Sequence, residues 1–194
     1  MRMDTTRPVT AYDVVNRWPE GDLTGLFRAN GEARFARRLA RAVVAARPIE
    51  STARLADVVR AAIPAAARRT GGHPARRAFQ AIRVAVNQEL EILPGALDAA
   101  LAALVPGGRC AVISYHSGED RIAKERLRVG ATGGCQCPPG LPCVCGAAPS
   151  LRLLTRGALR PGSAEIAANR RAESARLRAA ERLPLVSAAG GSAS

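Results

Sequence analysis

The sequence predicts a mixed α/β fold, an all-helical lobe followed by part of a doubly wound sheet. Residues 10–93 carry only helical periodicity, and from Gly95 onward the texture changes to helix, turn and buried strand. Cys110 to Ile113 is apolar on every residue, as a parallel strand covered on both faces would be. This strand runs into the polar residues Ser114, His116, Ser117, Glu119 and Asp120, at the position where ligands of open α/β sheets bind. The competing reading of that loop is a capped helix start, with Ser117 or Asp120 as N-cap of a helix through Ile122 and Leu127.

The elements follow in order. Thr10 to Asn16 is predicted as a short helix, and Trp18-Pro19-Glu20-Gly21 as a loop. From Glu32 to Ala46, Phe35, Leu39, Val43 and Ala46 recur at helical spacing and mark one apolar face. At roughly 100° per residue, Arg34, Arg37, Arg38 and Arg41 fall together on the opposite side. That stripe is either a phosphate-tracking surface or a solvated helix face. Ser51 or Thr52 caps a helix carrying Leu55, Val58, Val59 and Ile63, which Pro64 ends.

Arg68-Arg69-Thr70-Gly71-Gly72 reads as a basic, flexible connection, and Pro74 suits the first turn of the next helix. Its apolar face is Phe79, Ile82, Val86, Leu90 and Leu93, flanked by a polar ladder of Arg76, Gln80, Arg83 and Asn87. The ladder either reaches RNA or an active site, or makes buried-edge hydrogen bonds to a neighbouring element. Ala96 to Leu104 is a run of strong helix formers that Pro106-Gly107-Gly108 stops. The helical lobe fits an insertion, because the α/β part after it holds too few strands to be complete.

Charge points to the class of partner. The 194 residues hold 29 basic and 16 acidic side chains, a net charge of +13, and Lys124 is the one lysine, so 28 of the basic residues are arginine. Guanidinium forks match phosphates bidentately and stack on bases, which suits RNA. A GC-rich genome would raise arginine and alanine together, but would not by itself create an excess of positive over negative charge. No stretch approaches the length of a membrane helix and the first residues have no signal-peptide core, so a cytoplasmic chain with no membrane contact is expected. No obligate protein partner is inferred.

Cys135-Gln136-Cys137 and Cys143-Val144-Cys145 flank a proline-rich turn in the Cys-rich loop at 130–148. Four thiols can close a tetrahedral zinc site. A metal-free reduced loop and a redox-labile disulfide are the alternatives, since Cys-x-Cys is a shorter chelate than Cys-x-x-Cys. Cys110 reads as a small core residue. Leu151 to Thr155 is predicted as a further strand, Ala164 to Arg182 holds two arginine-rich stretches, and the small polar residues of 186–194 read as a disordered tail.

Several spaced motifs now coincide: Met1-Arg2-Met3-Asp4; Asn30-Gly31-Glu32 running into Phe35-Ala36-Arg37-Arg38; and His73-Pro74-Ala75 with Phe79-Gln80-Ala81-Ile82-Arg83 and Val86-Asn87. Pro106 to Lys124 follows, then Asn169 with Ser174-Ala175-Arg176-Leu177-Arg178 and Glu181. In these the chain resembles the bacterial small-subunit ribosomal RNA cytosine-N4 methyltransferases, the RsmH or MraW family. The resemblance implies a class I S-adenosylmethionine-dependent sheet carrying a helical insertion. It also implies methylation of a cytidine amine in the decoding region of 16S rRNA, with 16S rRNA or the small ribosomal subunit as partner.

On that basis the chain divides into a catalytic-domain segment at 1–9, the RNA-recognition lobe at 10–93, a returning α/β segment at 94–129, the Cys-rich loop, and C-terminal strands and helix at 149–185. Asp4, Ser114, His116, Ser117, Glu119 and Asp120 are the crevice candidates, lining or orienting the target base. Arg34, Arg37, Arg38, Arg41, Arg76, Gln80, Arg83 and Asn87 are the RNA-contact candidates. In the family the Met-Arg-Met-Asp motif follows the cofactor-binding half of the sheet, and here it is residues 1–4. No Gly-x-Gly occurs in the chain. The expectation is therefore a C-terminal portion of such an enzyme that does not bind S-adenosylmethionine and is inactive by itself. A non-catalytic, zinc-stabilised RNA-binding module is the rival. Smaller departures from the family pattern are Gly118, Arg76, Arg170 and Glu173.

Overall fold

A computed structural model describes residues 1–68, 75–138 and 144–184. The chain divides into two compact units, Met1–Glu91 and Ile92–Ser194.

The first unit is helical, with α1 (Ala11–Arg17), α2 (Glu20–Ala29), α3 (Ala36–Ala45), α4 (Thr52–Ala62), α5 (Ala65–Arg68) and α6 (Arg76–Asn87). Thr10 caps α1 in a reciprocal box with Asp13, and Ser51 caps α4 by accepting from the Arg54 amide. Leu23, Phe27, Leu39, Val43, Val59 and Ile82 are the fully buried centre of its core.

Two expectations are corrected here. Glu20 and Gly21 are not loop but the first residues of α2, which follows Pro19 at the N-cap. Burying Leu23 and Phe27, one turn apart, is worth about 2 kcal/mol each and outweighs the weak helix propensity of Gly21 and Gly25. The helix predicted through Leu93 instead ends at Asn87, because Gln88 takes a left-handed conformation with φ of 52°. A new helix, α7 (Glu89–Ala102), starts there.

The second unit holds a three-stranded sheet built from β1 (Arg109–Ser114), β2 (Leu151–Leu153) and β3 (Arg176–Arg182) in the order β1-β3-β2, and both pairings are antiparallel. Helix α8 (Ser117–Thr132) follows β1, and α9 (Ser163–Ala168) with a 3₁₀ turn (Arg170–Ser174) precedes β3. Leu101, Leu127, Leu151 and Ala180 form its small core, with Leu104 and Cys110 packed against them.

The strand at Cys110–Ile113 is therefore neither parallel to its neighbour nor covered on both faces. Burial alternates along it, and Ile113 is 56% exposed. Its alternate residues Cys110 and Ser114 face inward, so one face of this antiparallel ladder is packed and the other is open. Glu181 on the open face joins the three strands. It lies opposite both Arg109 and Arg152 and accepts from them at 3.1 and 2.7 Å, which holds its carboxyl below the usual range, Arg109 contributing most.

The middle strand β3 is the element the sequence least announced. Arg176-Leu177-Arg178-Ala179-Ala180-Glu181-Arg182 carries four charges in seven residues, yet it is paired along both edges.

Candidate functional site

Among the described residues, chemistry-bearing side chains collect at three places, one in the first unit and two in the second. In the first unit the polar faces of α3 and α4 border an open groove lined by Arg38, Arg41, Arg54 and Arg60 together with Asp57. The helices are neighbours in sequence whose apolar residues, Leu39 and Val43 on one and Val58 and Val59 on the other, are buried in one core, which leaves their arginines outside. Arg60 pairs with Asp57, and Arg41 Nε stands 4.0 Å from Glu20 Oε1, a contact too long to hold the guanidinium tightly.

Of the predicted stripe, Arg37, Arg38 and Arg41 are exposed on α3. Arg34 is exposed in the turn before the helix, its guanidinium 5.1 Å from the Phe35 ring centroid, because α3 starts only at Ala36. Arg54 and Arg60 were missed by the sequence reading; projecting the polar face of α4 would have found them.

The polar ladder on α6 splits. Arg76 is exposed and Gln80 half-buried. Arg83 is held by Glu89 through two bonds of 3.0 Å. Asn87 is buried and works inside the unit: its amide nitrogen donates to the Met1 and Arg83 carbonyls, and its oxygen accepts from the Met3 amide at 2.8 Å. The ladder's last rung thus pins the N-terminal segment. Asp4, in that segment, is exposed in a turn in which the Thr6 amide and hydroxyl donate to Oδ1. Those two bonds lower its pKa, the hydroxyl most.

The second place is the carboxyl end of β1. Ser114 is buried and its hydroxyl donates to the Arg176 carbonyl at 3.4 Å. The N-cap of α8 is His116, not Ser117 or Asp120. Its Nδ1 accepts from the Glu119 amide, while Glu119 Oε2 accepts from the Tyr115 and His116 amides at 2.9 and 3.3 Å. A histidine can close a capping box because its ring nitrogen reaches the third amide as a serine hydroxyl would.

Asp120 is buried and clamped from two sides, by Arg178 at 2.8 and 3.1 Å and by Arg176 at 3.1 Å. The Arg178 bonds in particular hold its carboxyl below the usual range. Ser114, His116, Glu119 and Asp120 are thus brought together; Ser114, Glu119 and Asp120 hold the strand end, while His116 gives Nδ1 to the cap and keeps Nε2 3.2 Å from Glu119 Oε1. Ser117 is exposed on the first turn of α8. Both carboxylates after β1, Glu119 and Asp120, are already bonded within the unit.

Cys135, Cys137 and Cys145 lie together in the loop between α8 and β2, their Sγ atoms within 4.8 Å of one another. Cys143, the predicted flexible connection at residues 69–72, Pro74 and the tail at 186–194 lie outside the described residues. No helix among the described residues is long and apolar enough to cross a membrane.

Comparison with known proteins places this geometry. A family model described as the MraW methylase family matches residues 1–183. The chain is 58% identical over 186 residues to a ribosomal RNA small subunit methyltransferase H of Thermobifida fusca (strain YX), covering 94% of this chain and 56% of that protein. It is 53% identical over 187 residues to the protein of that name from Symbiobacterium thermophilum, covering 94% of this chain and 58% of the relative. The protein of that name from Salinispora arenicola is 55% identical over 188 residues, 94% of this chain and 50% of the relative. The chain spans about half the length of the curated relatives it matches. A match over nearly every described element, with the arginine-lined groove and the capped strand end both inside it, means that the chain belongs to the MraW methylase family.

Proposed function

We propose that this chain serves S-adenosylmethionine-dependent N4-methylation of a cytidine in the decoding region of 16S rRNA, as the RNA-gripping and sheet-closing portion of a cytoplasmic class I methyltransferase. The observation that carries the reading is the groove between α3 and α4, where Arg38, Arg41, Arg54 and Arg60 face solvent from two helices with Asp57 as the acidic lining residue. Backbone phosphates of RNA suit such a set, because guanidinium forks give them directional bonds. Arg34, Arg37 and Arg76 are further exposed arginines of the same unit, and Gln80, Arg83 and Asn87 follow Arg76 along α6, Arg83 bonded to Glu89 and Asn87 to the N-terminal segment.

At the strand end, His116 and Ser117 would orient the target base, while Ser114, Glu119 and Asp120 fix the loop that presents them. Asp4 stands in the motif that the resemblance assigns to the crevice. Substituting Asp4, His116 or Ser117 by alanine in the full-length Thermobifida relative and following methyl incorporation into small-subunit rRNA tests these assignments. Undiminished incorporation for all three would remove the strand end from the reaction.

A second reading has its own support: the strand-end carboxylates Glu119 and Asp120 are engaged inside the unit. On that reading the chain is a binding module for small-subunit rRNA. The discriminating experiment adds a 16S rRNA decoding-region fragment to the 194-residue chain with and without S-adenosylmethionine. The methyltransferase-portion reading expects salt-dependent RNA binding that the cofactor leaves unchanged, and methyl transfer only once a cofactor-binding half is supplied. Failure of that half to restore transfer would favour the module. Failure to bind RNA at low salt would overturn both.

A further inference from the structure

We propose that Cys135, Cys137 and Cys145 form a thiolate metal site that takes zinc. Two observations carry it, neither of which bears on RNA or on methyl transfer. The first is the convergence of the three sulfurs within 4.8 Å. Sulfurs on a tetrahedral zinc, each at about 2.3 Å, stand about 3.8 Å apart, so small side-chain rotations bring this set onto one ion. A disulfide would engage two of the three at most. An iron–sulfur cluster takes four thiolates spread around several atoms, whereas three sulfurs this close match corners of a single ion.

The second observation is the loop that carries them. Its two legs meet at a neck where the Ser150 amide donates to the Gly130 carbonyl at 2.8 Å. Gly133, with φ of +62°, sits so close to Ala148 that a Cβ there would lie 2.6 Å from that residue's backbone. Glycines with positive φ stand directly before Cys135 and directly after Cys145, Gly134 at +75° and Gly146 at +66°. The neck therefore brings cysteines ten residues apart onto facing legs. Among the described residues of the loop, Val144, its one large apolar side chain, is 90% exposed and adds no cohesion. In small segments without a core, a metal cross-link supplies the missing cohesion. Binding releases the thiol protons to solvent and leaves three thiolates and one further donor around the ion, the closed coordination of structural zinc.

The test uses the whole 194-residue chain purified under reducing, chelator-free conditions. Elemental analysis is expected to find about one zinc per chain. Cobalt(II) added to metal-stripped protein should give the thiolate charge-transfer and d–d bands of a tetrahedral site, and zinc should bleach them. Cys135→Ser and Cys145→Ser should each weaken zinc binding by more than about 100-fold, while Cys110→Ser, in β1, should retain it. Trace zinc in a chain with a native circular-dichroism spectrum would overturn the proposal. So would copper or iron in zinc's place, or a cobalt spectrum without thiolate bands. The cobalt titration of the unmutated chain decides the matter even if a serine variant fails to fold.

Discussion

Asp120 on the first turn of α8 holds Arg178 on β3 through a bidentate pair of 2.8 and 3.1 Å, with the Asp120 side chain 11% and the Arg178 side chain 15% exposed. Arg176 adds a third bond to the same carboxylate. One carboxylate thus ties the start of the helix to the middle strand of the sheet, and the strand end keeps its shape through it.

Removing that carboxylate leaves two guanidinium groups facing each other in a largely dry site. Asp120→Ala should destabilise the second unit by about 3 kcal/mol, the lower end of what breaking a buried pair costs, because Arg176 retains access to water. Guanidinium-chloride unfolding followed by circular dichroism checks this, and a change below about 0.5 kcal/mol would show the pair to be dispensable.

The same pair sets an acid limit. Because the folded pKa of Asp120 is depressed, chiefly by its hydrogen bonds to Arg178, its stabilisation is fully present above the unfolded value of about 3.9. It is lost as pH falls through the folded value. Stability measured from pH 6 downward should therefore decline in the native chain and decline less steeply in Asp120→Asn. Parallel pH profiles for the two would refute the linkage.

Gly130 on α8 is fixed by packing. A Cβ there would meet Leu151 Cδ1 at 2.4 Å and Cγ at 2.8 Å, and Leu151 is buried in the core of its unit. Gly130→Ala gains up to about 1 kcal/mol of helix propensity, while overpacking costs about 1–3 kcal/mol, so the net effect should be destabilising. Combining it with Leu151→Ala should cost less than the two single changes added together. Strict additivity would mean that the helix and β2 do not press on each other here.

Much of the first unit was legible because burial there follows a 3.6-residue period: Leu39 and Val43, Leu55 and Val59, and Ile82 and Val86 read correctly as core. The helix α2 was hidden by Gly21 and Gly25, and the break at Gln88 is a backbone conformation that no apolar period reports. The strand β3 was hidden for a different reason. Its arginines are neutralised by partners far away in sequence, Arg176 and Arg178 by Asp120, so a central strand looks like a solvated charge run. At the strand end the residue types were visible, but their mutual commitment was not. Which donor reaches which acceptor in a capping box depends on φ and ψ at His116, and composition does not encode them.

Asn87 anchors the segment that carries Asp4, accepting from the Met3 amide and donating to the Met1 carbonyl. Asn87→Ala would leave the Met3 amide to water, at a cost of about 0.5–1.5 kcal/mol per lost bond that falls mainly on that segment. Hydrogen exchange should show the Met3 amide losing protection while the amides of α2 and α3 keep theirs; unchanged protection at Met3 would show that other contacts hold the segment.

The arginine-lined groove makes the most direct demand on function. If its guanidinium groups contact phosphates, each contact releases a counterion, and the slope of log K against log salt falls by about 0.7 for every contact removed on single-stranded RNA, or 0.9 on a duplex. Arg38→Ala with Arg41→Ala should therefore weaken binding to a decoding-region fragment and flatten the slope by about 1.4 to 1.8. Arg54→Ala, on the neighbouring helix, should flatten it by about a further 0.7 to 0.9, half that step, because it lines the same groove. Arg128→Ala is the control, since that arginine lies in the other unit and is bonded to Glu125 at 2.7 and 3.0 Å. Equal loss of slope in the control and the groove variants would mean that the RNA responds to net charge alone, and the groove would lose its claim to the phosphates.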